Sequence, residues 1–398
     1  MKTVNEAIDY LLAQVKPTNV TEKRPLSQAL GCVLAKDIVS SVNVPPHDNS
    51  MMDGYAVRAD AIKAGKNLPI SQRIPAGSNP SALAADTVAR IFTGAPIPAG
   101  ADAVIMQEDA ELTEQGVRFQ HPVQVGQNIR RCGEDIAQNT CILNAGQKLR
   151  PQDLALIASV GVAEVEVFKP LTLVTFTTGD ELLAPGQAPQ PGKIYNSNHP
   201  NLMGLVAQLG FEWVDLGQVA DSFDATQAAL KKAAQLGDVI ITTGGVSVGE
   251  EDHLKPAVES LGQLDMWQVK MKPGKPLAFG DVNGTPFIGL PGNPVSAFTT
   301  FNIFARPFLL RMQGMAEVLP QSIWVDADFD WPKPGFRREF VRARLQQQNQ
   351  TTQATIYSHQ GSGVLTSTVW ASGLVVIPED TVIHKGDRVE YISFNELA

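Results

Sequence analysis

The sequence predicts a multidomain protein of α/β plus β class, in which one α/β unit with a mostly parallel sheet is set among β-rich modules. Three observations carry this. The chain has 398 residues, too many for one ordinary domain and enough for several cores. Between about residues 170 and 315, apolar strands alternate with amphipathic helices, the rhythm of βα units whose helices cover both faces of a sheet. On either side, short period-two runs are broken by dense turn signals, as in small all-β modules.

Taken in order, Val4, Ala7, Ile8, Leu11, Leu12 and Val15 fall at helical spacing, so the chain opens on an amphipathic helix ending before Pro17. From about residue 21 to 140 come short strands: GCVLAKDIVSS, DGYAVRAD, TVARIFTGAPIPAGADAVIMQED and GVRFQHPVQV. LRPQDLALIASVG then reads as a helix, with Pro151 near its start and Gly161 just past its end, followed by the strand AEVEVF. Within the α/β stretch, LTLVTFTTG, FEWVDLG, DVIITTGG, LDMWQVKM and PFIGL are strands. NSNHPNLMGLVAQLG, DATQAALKKAAQLG, a short segment after Asp252 and the long PVSAFTTFNIFARPFLLRM are helices. FRREFVRARL, GLVVIP and DRVEYISF, with turns at HQGSG and HKGD, make a C-terminal all-β module. In open parallel sheets ligands bind beyond the carboxyl ends of the strands. That directs attention to the loops after Thr178, Thr243 and Leu290.

Composition narrows the function classes. A net charge of −9 argues against a nucleic-acid surface, which needs a basic face. Cys32, Cys132 and Cys141 lack CxxC spacing, and the six histidines show no metal-ligand pair, so neither a zinc site nor a disulfide framework is expected. No apolar run is long enough for a membrane span and the N-terminus does not read as a secretory signal. A cytoplasmic protein with no membrane or nucleic-acid partner is the expectation.

The chemistry-bearing motifs are individually ambiguous. TTGGVSVGEED, residues 242–252, ends a strand in glycines that let backbone N–H groups converge on an anion, yet leads straight into Glu250, Glu251 and Asp252. It lacks both the P-loop lysine and GxGxxG spacing, so a tight turn whose acids cap the next helix is an equal reading. GLPGNPVSAF places Asn293 at an N-cap and Pro294 at the first helical position, either an anion site or a plain helix start. MKPGKPLAFG holds Lys272 and Lys275 across a Pro-Gly turn, suited to an oxyanion but equally to solvent. Asp48, Asp53, Arg130, Arg131, Glu134 and Asp135 lie among turn formers, where hairpin chemistry is the usual explanation. There is no GxSxG elbow, which argues against a serine hydrolase of that kind.

Taken together, PPHDNSMMDGYAVR, FTGAPIPAGADAVI, NIRRCGEDI, TTGDEL, YNSN, TTGGVSVGEEDH, KPGKPLAFG and GLPGNPVSAF, in this order and over nearly the whole chain, resemble the molybdopterin molybdenumtransferase family, the MoeA and gephyrin E-domain group. The resemblance implies a three-layer α/β molybdopterin-binding domain (1–20 and 168–320), a small segmented α+β domain (21–40 and 140–167), a β-rich domain (41–139) and a C-terminal β-barrel-like domain (321–398). It implies a homodimer that inserts molybdate into adenylylated molybdopterin, releasing AMP and water with Mg2+ assisting, and other cofactor-biosynthesis proteins as further partners. By the same resemblance Glu181, Asp221 and Asp252 hold the metal or the pyrophosphate, and Glu181, Asp252 and Asp53 are catalytic. Gly244, Gly245, Ser247 and Asn293 lie along the pterin or phosphate. Lys272 and Lys275 hold molybdate, with Ser362 contributing from the C-terminal module. Thr93, Arg130 and Asp135 join Asp53 as crevice residues offered to a partner subunit. One departure stands out: the family often has a basic residue where this chain has Gln268, and Lys270 lies two positions on, on the same face of an extended strand.

Two other functions are weighed. An adenylyltransferase or related nucleotide-processing enzyme on the same α/β module would not need the DNSMMDGYA region or the C-terminal β module. A gephyrin-type scaffold would be expected to carry an additional pterin domain and a long linker.

Overall fold

The computed structural model describes residues 1–246, 253–348 and 351–397. Ser247 and Asp252, two of the expected site residues, lie outside the described residues.

The α/β unit is built on a six-stranded sheet in the order 212–219, 172–178, 239–243, 285–290, 276–282 and 262–268. The first four strands are mutually parallel, and the last two continue the sheet as antiparallel neighbours. Burial on both faces explains why these strands read as continuous apolar runs. Leu173, Val239, Ile241, Ile288 and Leu290 point into one core with the helices Val4–Ala13, Asn198–Gln208 and Pro294–Thr300. Val174, Phe176, Ile240 and Phe287 point into a second core with Phe223–Leu236 and Leu254–Glu259. The result is three layers, helices on either side of the sheet.

The N-terminal helix packs into the first of these cores through Val4, Ala7 and Leu11. A capping box starts it: Glu6 N–H donates to Thr3 Oγ1 at 3.3 Å, and Thr3 N–H donates to Glu6 Oε2 at 2.8 Å.

Among the elements that differ from the sequence reading, two bear on the α/β unit most, and LDMWQVKM, read as one strand, is split between Gly262–Gln268 and Met271–Lys272. PLAFGDV, unread as a strand, forms Pro276–Val282 and makes a hairpin with Thr285–Leu290. The signal was present: Asn283 and Gly284 take φ of +51° and +89°, the left-handed pair of a two-residue Asn-Gly turn. The long helix from Pro294 is not uniform. It passes through a π-helical turn at Phe301–Ala305 before resuming as Arg306–Met312. Pro307 has no N–H and its ring crowds the preceding turn, which the wider turn relieves.

Around this unit, Thr21–Pro25 pairs with Glu164–Phe168, and Ile38–Val39 with Cys141–Leu143, so the segments before 40 and after 140 fold together. Between them lies the β-rich region, with a four-stranded and a three-stranded sheet. At the C-terminus, Arg338–Gln348 pairs with both Thr351–Ile356 and Gly373–Ile377, closing a small barrel. The short strand Met271–Lys272 of the α/β unit adds to this barrel by pairing with Arg338 and Glu339. Buried Arg306 strengthens the junction, donating to the carbonyls of Val318, Glu396 and Leu397.

Among the described residues no helix is long and apolar enough to cross a membrane. The three cysteines are unbridged.

Candidate functional site

From strand Thr172–Thr178 the chain moves outward to Glu212–Val219, then crosses back to Val239–Thr243 on the other side. The strand order therefore reverses between Thr178 and Thr243, and a crevice opens beyond their carboxyl ends. A cleft of about 430 Å³ lies there, lined by residues that include Glu181, Asn198, Asp221, Gly244, Gly245 and Asn293. All three loops singled out by the strand pattern, after Thr178, Thr243 and Leu290, contribute to it.

The two Thr-Thr-Gly strand ends approach closely. Gly244 N–H donates to Leu290 O at 3.2 Å, while Gly244 itself sits at φ +88°. A Cβ there would lie 2.7 Å from the Thr178 carbonyl oxygen, so only glycine fits. Gly179 is likewise at φ +138°, and a Cβ on it would lie 2.6 Å from Glu181 Oε2. The Glu181 carboxylate folds over this bare backbone. Gln218 Nε2 donates to Gly179 O at 2.8 Å and Ile194 N–H to Glu181 O at 2.8 Å, holding the turn. Lys193 Nζ donates to Asp180 O on its outer side.

The YNSN motif forms the opposite wall. Asn196 Nδ2 donates to Thr177 Oγ1 at 2.9 Å, and Asn198 Nδ2 donates to Gly292 O at 2.7 Å, tying the start of helix Asn198–Gln208 to the Pro291–Asn293 turn.

A second cleft of about 300 Å³ adjoins the first, sharing Pro276, Asn293 and Ser296 with it. Lys272, Lys275, Arg337 and Ser362 converge on it. The barrel loop is tied directly to the helix at its edge: Val295 N–H donates to Ser362 O at 3.0 Å. Arg342, 1% exposed, supports that loop by donating to Gly361 O at 3.2 Å and Ser367 Oγ at 3.0 Å, and burial pushes its guanidinium down to about 10. Lys272 Nζ is 3.0 Å from Glu339 Oε2. Carboxylates and glycines thus occupy one end of a continuous trough and cations the other.

Of the expected residues, Glu181, Asp221, Gly244, Gly245 and Asn293 come together in the first cleft, and Lys272, Lys275, Asn293 and Ser362 in the second. Neither Gln268 nor Lys270 lines the cation end. Lys270 is held near the N-terminal helix instead, its N–H donating to Lys2 O and its charge acting on Glu6. Arg337 and Ser296 were missed. Ser296 lies in the first turn of the helix that starts after Asn293, and Arg337 is one of two adjacent arginines that sequence alone does not distinguish. Arg338 turns to Glu379 and Asn5.

Asp53, Thr93, Arg130 and Asp135 line neither cleft of the same chain. Asp53 Oδ1 accepts from Thr93 N–H at 2.8 Å and Thr93 Oγ1 at 3.0 Å, and the backbone donor above all holds its carboxyl below the usual range. Arg130 sits on the short strand paired with Asn49–Ser50, and Asp135 N–H donates to Val44 O. Thr93, Arg130 and Asp135 are exposed on the β-rich region, and Asp53 is half-buried there.

Among the described residues no group of three His, Cys, Asp or Glu side chains converges to hold a metal ion. Two carboxylates in a cleft with a glycine turn still suit Mg2+, which takes one or two carboxylates and completes its shell with phosphate oxygens and water.

Comparison with known proteins agrees with the geometry. Residues 2–161 match the model of the MoeA N-terminal region (domain I and II), 174–311 a probable molybdopterin binding domain, and 325–394 the MoeA C-terminal region (domain IV). The chain is 37% identical to a molybdopterin molybdenumtransferase of Haemophilus influenzae over 404 residues, covering 100% of both. It is also 37% identical to molybdopterin molybdenumtransferase 2 of Mycobacterium tuberculosis, covering 96% of both. The solved structure of the molybdopterin biosynthesis MoeA protein of Pyrococcus horikoshii superposes with a TM-score of 0.85 at 30% identity, covering 99% of this chain and 100% of that one. With a parallel-sheet crevice, a closed C-terminal barrel and full-length similarity all in agreement, this chain belongs to the MoeA family of molybdopterin molybdenumtransferases, transferases of molybdenum cofactor biosynthesis.

Proposed function

We propose that this protein inserts molybdate into adenylylated molybdopterin, releasing AMP and water. The observation that supports this most directly is the two-ended trough: an acid-and-glycine end and a cation end that share Pro276, Asn293 and Ser296. An adenylylated pterin and molybdate are both anions, and a single substrate-sized trough that is to hold both needs separate means of balancing each charge.

At the first end, Gly244 and Gly245 leave the backbone open to the pyrophosphate, with Asn293 beside it. Glu181 and Asp221 would hold Mg2+ there, with Asp252 as the expected third carboxylate. When bound, Mg2+ neutralises phosphate charge and polarises the phosphoanhydride. The chain's own contribution is orientation: the Asn198–Gly292 strap and the Gly244–Leu290 bond fix the two walls against which the substrate lies. At the second end, Lys272, Lys275 and Arg337 balance molybdate and Ser362 offers a hydroxyl. The oxyanion is thereby held beside the dithiolene as AMP departs.

The protein acts as a homodimer in which Asp53, Thr93, Arg130 and Asp135 face the trough of the other subunit. The exposure of Thr93, Arg130 and Asp135, together with the absence of all four from the clefts of their own chain, supports this arrangement.

Reconstitution tests the reading. With purified protein, adenylylated molybdopterin and Mg2+, AMP release is expected to require molybdate. AMP release that is indifferent to molybdate would sink it.

A further inference from the structure

Lys272 has a partner before any substrate arrives. It and Glu339 are directly opposed across the short parallel pairing that joins the α/β unit to the barrel, and Nζ lies 3.0 Å from Oε2. The two side chains are unequal. The Glu339 side chain is 10% exposed, whereas that of Lys272 is 45% exposed, so the carboxylate is fixed and the ammonium spans from it to the open cleft. Gly335 makes room for this placement, since a Cβ there would come within 3.2 Å of Glu339 Oε1. Among the described residues no carboxylate pairs with Lys275 or Arg337. Among the described residues, three cations and one carboxylate leave two positive charges in excess, the complement of a dianion.

We propose that Glu339 sets the oxyanion affinity of the cleft by competing with the oxyanion for the Lys272 ammonium; this rests on the oxyanion reading above. A lysine has three N–H donors, and the one committed to Glu339 is withheld from the ligand. The same carboxylate repels an incoming dianion. Both effects weaken binding of every tetrahedral dianion, abundant sulfate included, and keep the cleft open to exchange. Buried Arg342 also interacts electrostatically with Glu339.

The test is equilibrium binding of molybdate and of sulfate to the full chain at fixed ionic strength. Glu339→Gln, which keeps the shape and removes the charge, is expected to tighten both by more than about tenfold, because Coulomb repulsion between a carboxylate and a dianion ~6 Å apart at near-water dielectric is alone worth about tenfold and the freed Lys272 donor adds to it. Glu339→Asp, with its carboxylate drawn back by one methylene, should give an intermediate gain and serves if the glutamine variant folds poorly by its thermal melt. In a Lys272→Met background no ammonium is left to compete for, so adding Glu339→Gln should remove only the direct repulsion and give a gain no larger than about tenfold. Unchanged or weaker molybdate binding in both Glu339 variants, with wild type binding normally, would overturn this inference alone. So would a gain of equal size with and without Lys272. Failure of every protein to bind molybdate would overturn the oxyanion reading with it.

Discussion

Two glycines a few ångströms apart on the cleft wall should respond oppositely to one added methyl group. At Gly244 the backbone is left-handed, at φ +88°, which costs an alanine about 1–2 kcal/mol. Its Cβ would stand 2.7 Å from Thr178 O and 3.3 Å from Thr178 Oγ1, so two strand ends must part by roughly half an ångström. Forcing extra atoms into packed backbone adds about 1–3 kcal/mol. Gly244→Ala is therefore expected to destabilise the α/β unit by about 2–5 kcal/mol. At Gly292, by contrast, φ is outside the left-handed region and the nearest atom to an added Cβ is Gly244 Cα at 3.7 Å, ordinary contact. Gly292→Ala should cost less than about 1 kcal/mol. Urea unfolding followed by circular dichroism measures both, with roughly 2–4 °C of melting temperature per kcal/mol as a second readout. AMP release should fall by about a hundredfold in kcat/KM for Gly244→Ala, since displacing the Thr178 and Gly244 ends shifts the groups that orient the substrate. If Gly244→Ala were as stable as wild type, or Gly292→Ala equally damaging, the argument from close approach at the switch point would be wrong.

Other expectations follow from the same geometry. Glu181→Gln should lower molybdate-dependent AMP release by about a hundredfold or more while leaving the melt almost unmoved, because the side chain is exposed; full activity would remove Glu181 from the metal or pyrophosphate site. Mixing inactive Glu181→Gln with inactive Asp53→Asn tests the shared site: if subunits exchange at random, half the dimers pair the two variants and each carries one intact trough, restoring about a quarter of wild-type activity. No recovery, with exchange verified by mass spectrometry, would place Asp53 outside the partner's site. Asp153, 5% exposed, accepts from Arg150 Nε at 2.9 Å and Nη2 at 3.0 Å, and these bonds, opposed by burial, hold its carboxyl below its usual 3.8. Its contribution is present above that value and is lost as pH falls through the lower folded-state one. Asp153→Asn should cost about 1–2 kcal/mol at pH 7, with the gap to wild type closing as pH falls below 3.8 and through the lower folded-state value; a gap independent of pH would show that the charge is irrelevant.

Legibility in the sequence tracked how local the determining forces were. The N-terminal helix was readable because its apolar face and the Pro17 that ends it lie within a few turns of chain. The parallel strands were readable because burial on both faces demands unbroken apolar runs, as in Val239–Thr243. Pro276–Val282 was overlooked although Asn283-Gly284 announced its hairpin, because KPGKP drew the segment into a turn reading. The π-helical turn ahead of Pro307 has no period of its own in the sequence, and the helix pattern runs through it.

The site divides along the same line. Short-range chemistry by itself determined which stretches end in glycine turns, where helices begin, and which loops follow the parallel strands. Whether those loops met was a question of strand order, and the reversal between Thr178 and Thr243 is created by pairings between residues dozens of positions apart. Only the fold selected Arg337 over Arg338, withdrew Lys270 to the N-terminal helix, and set buried Glu339 against Lys272. A side chain's charge is written in the sequence. Its partner depends on which strands the rest of the chain packs beside it.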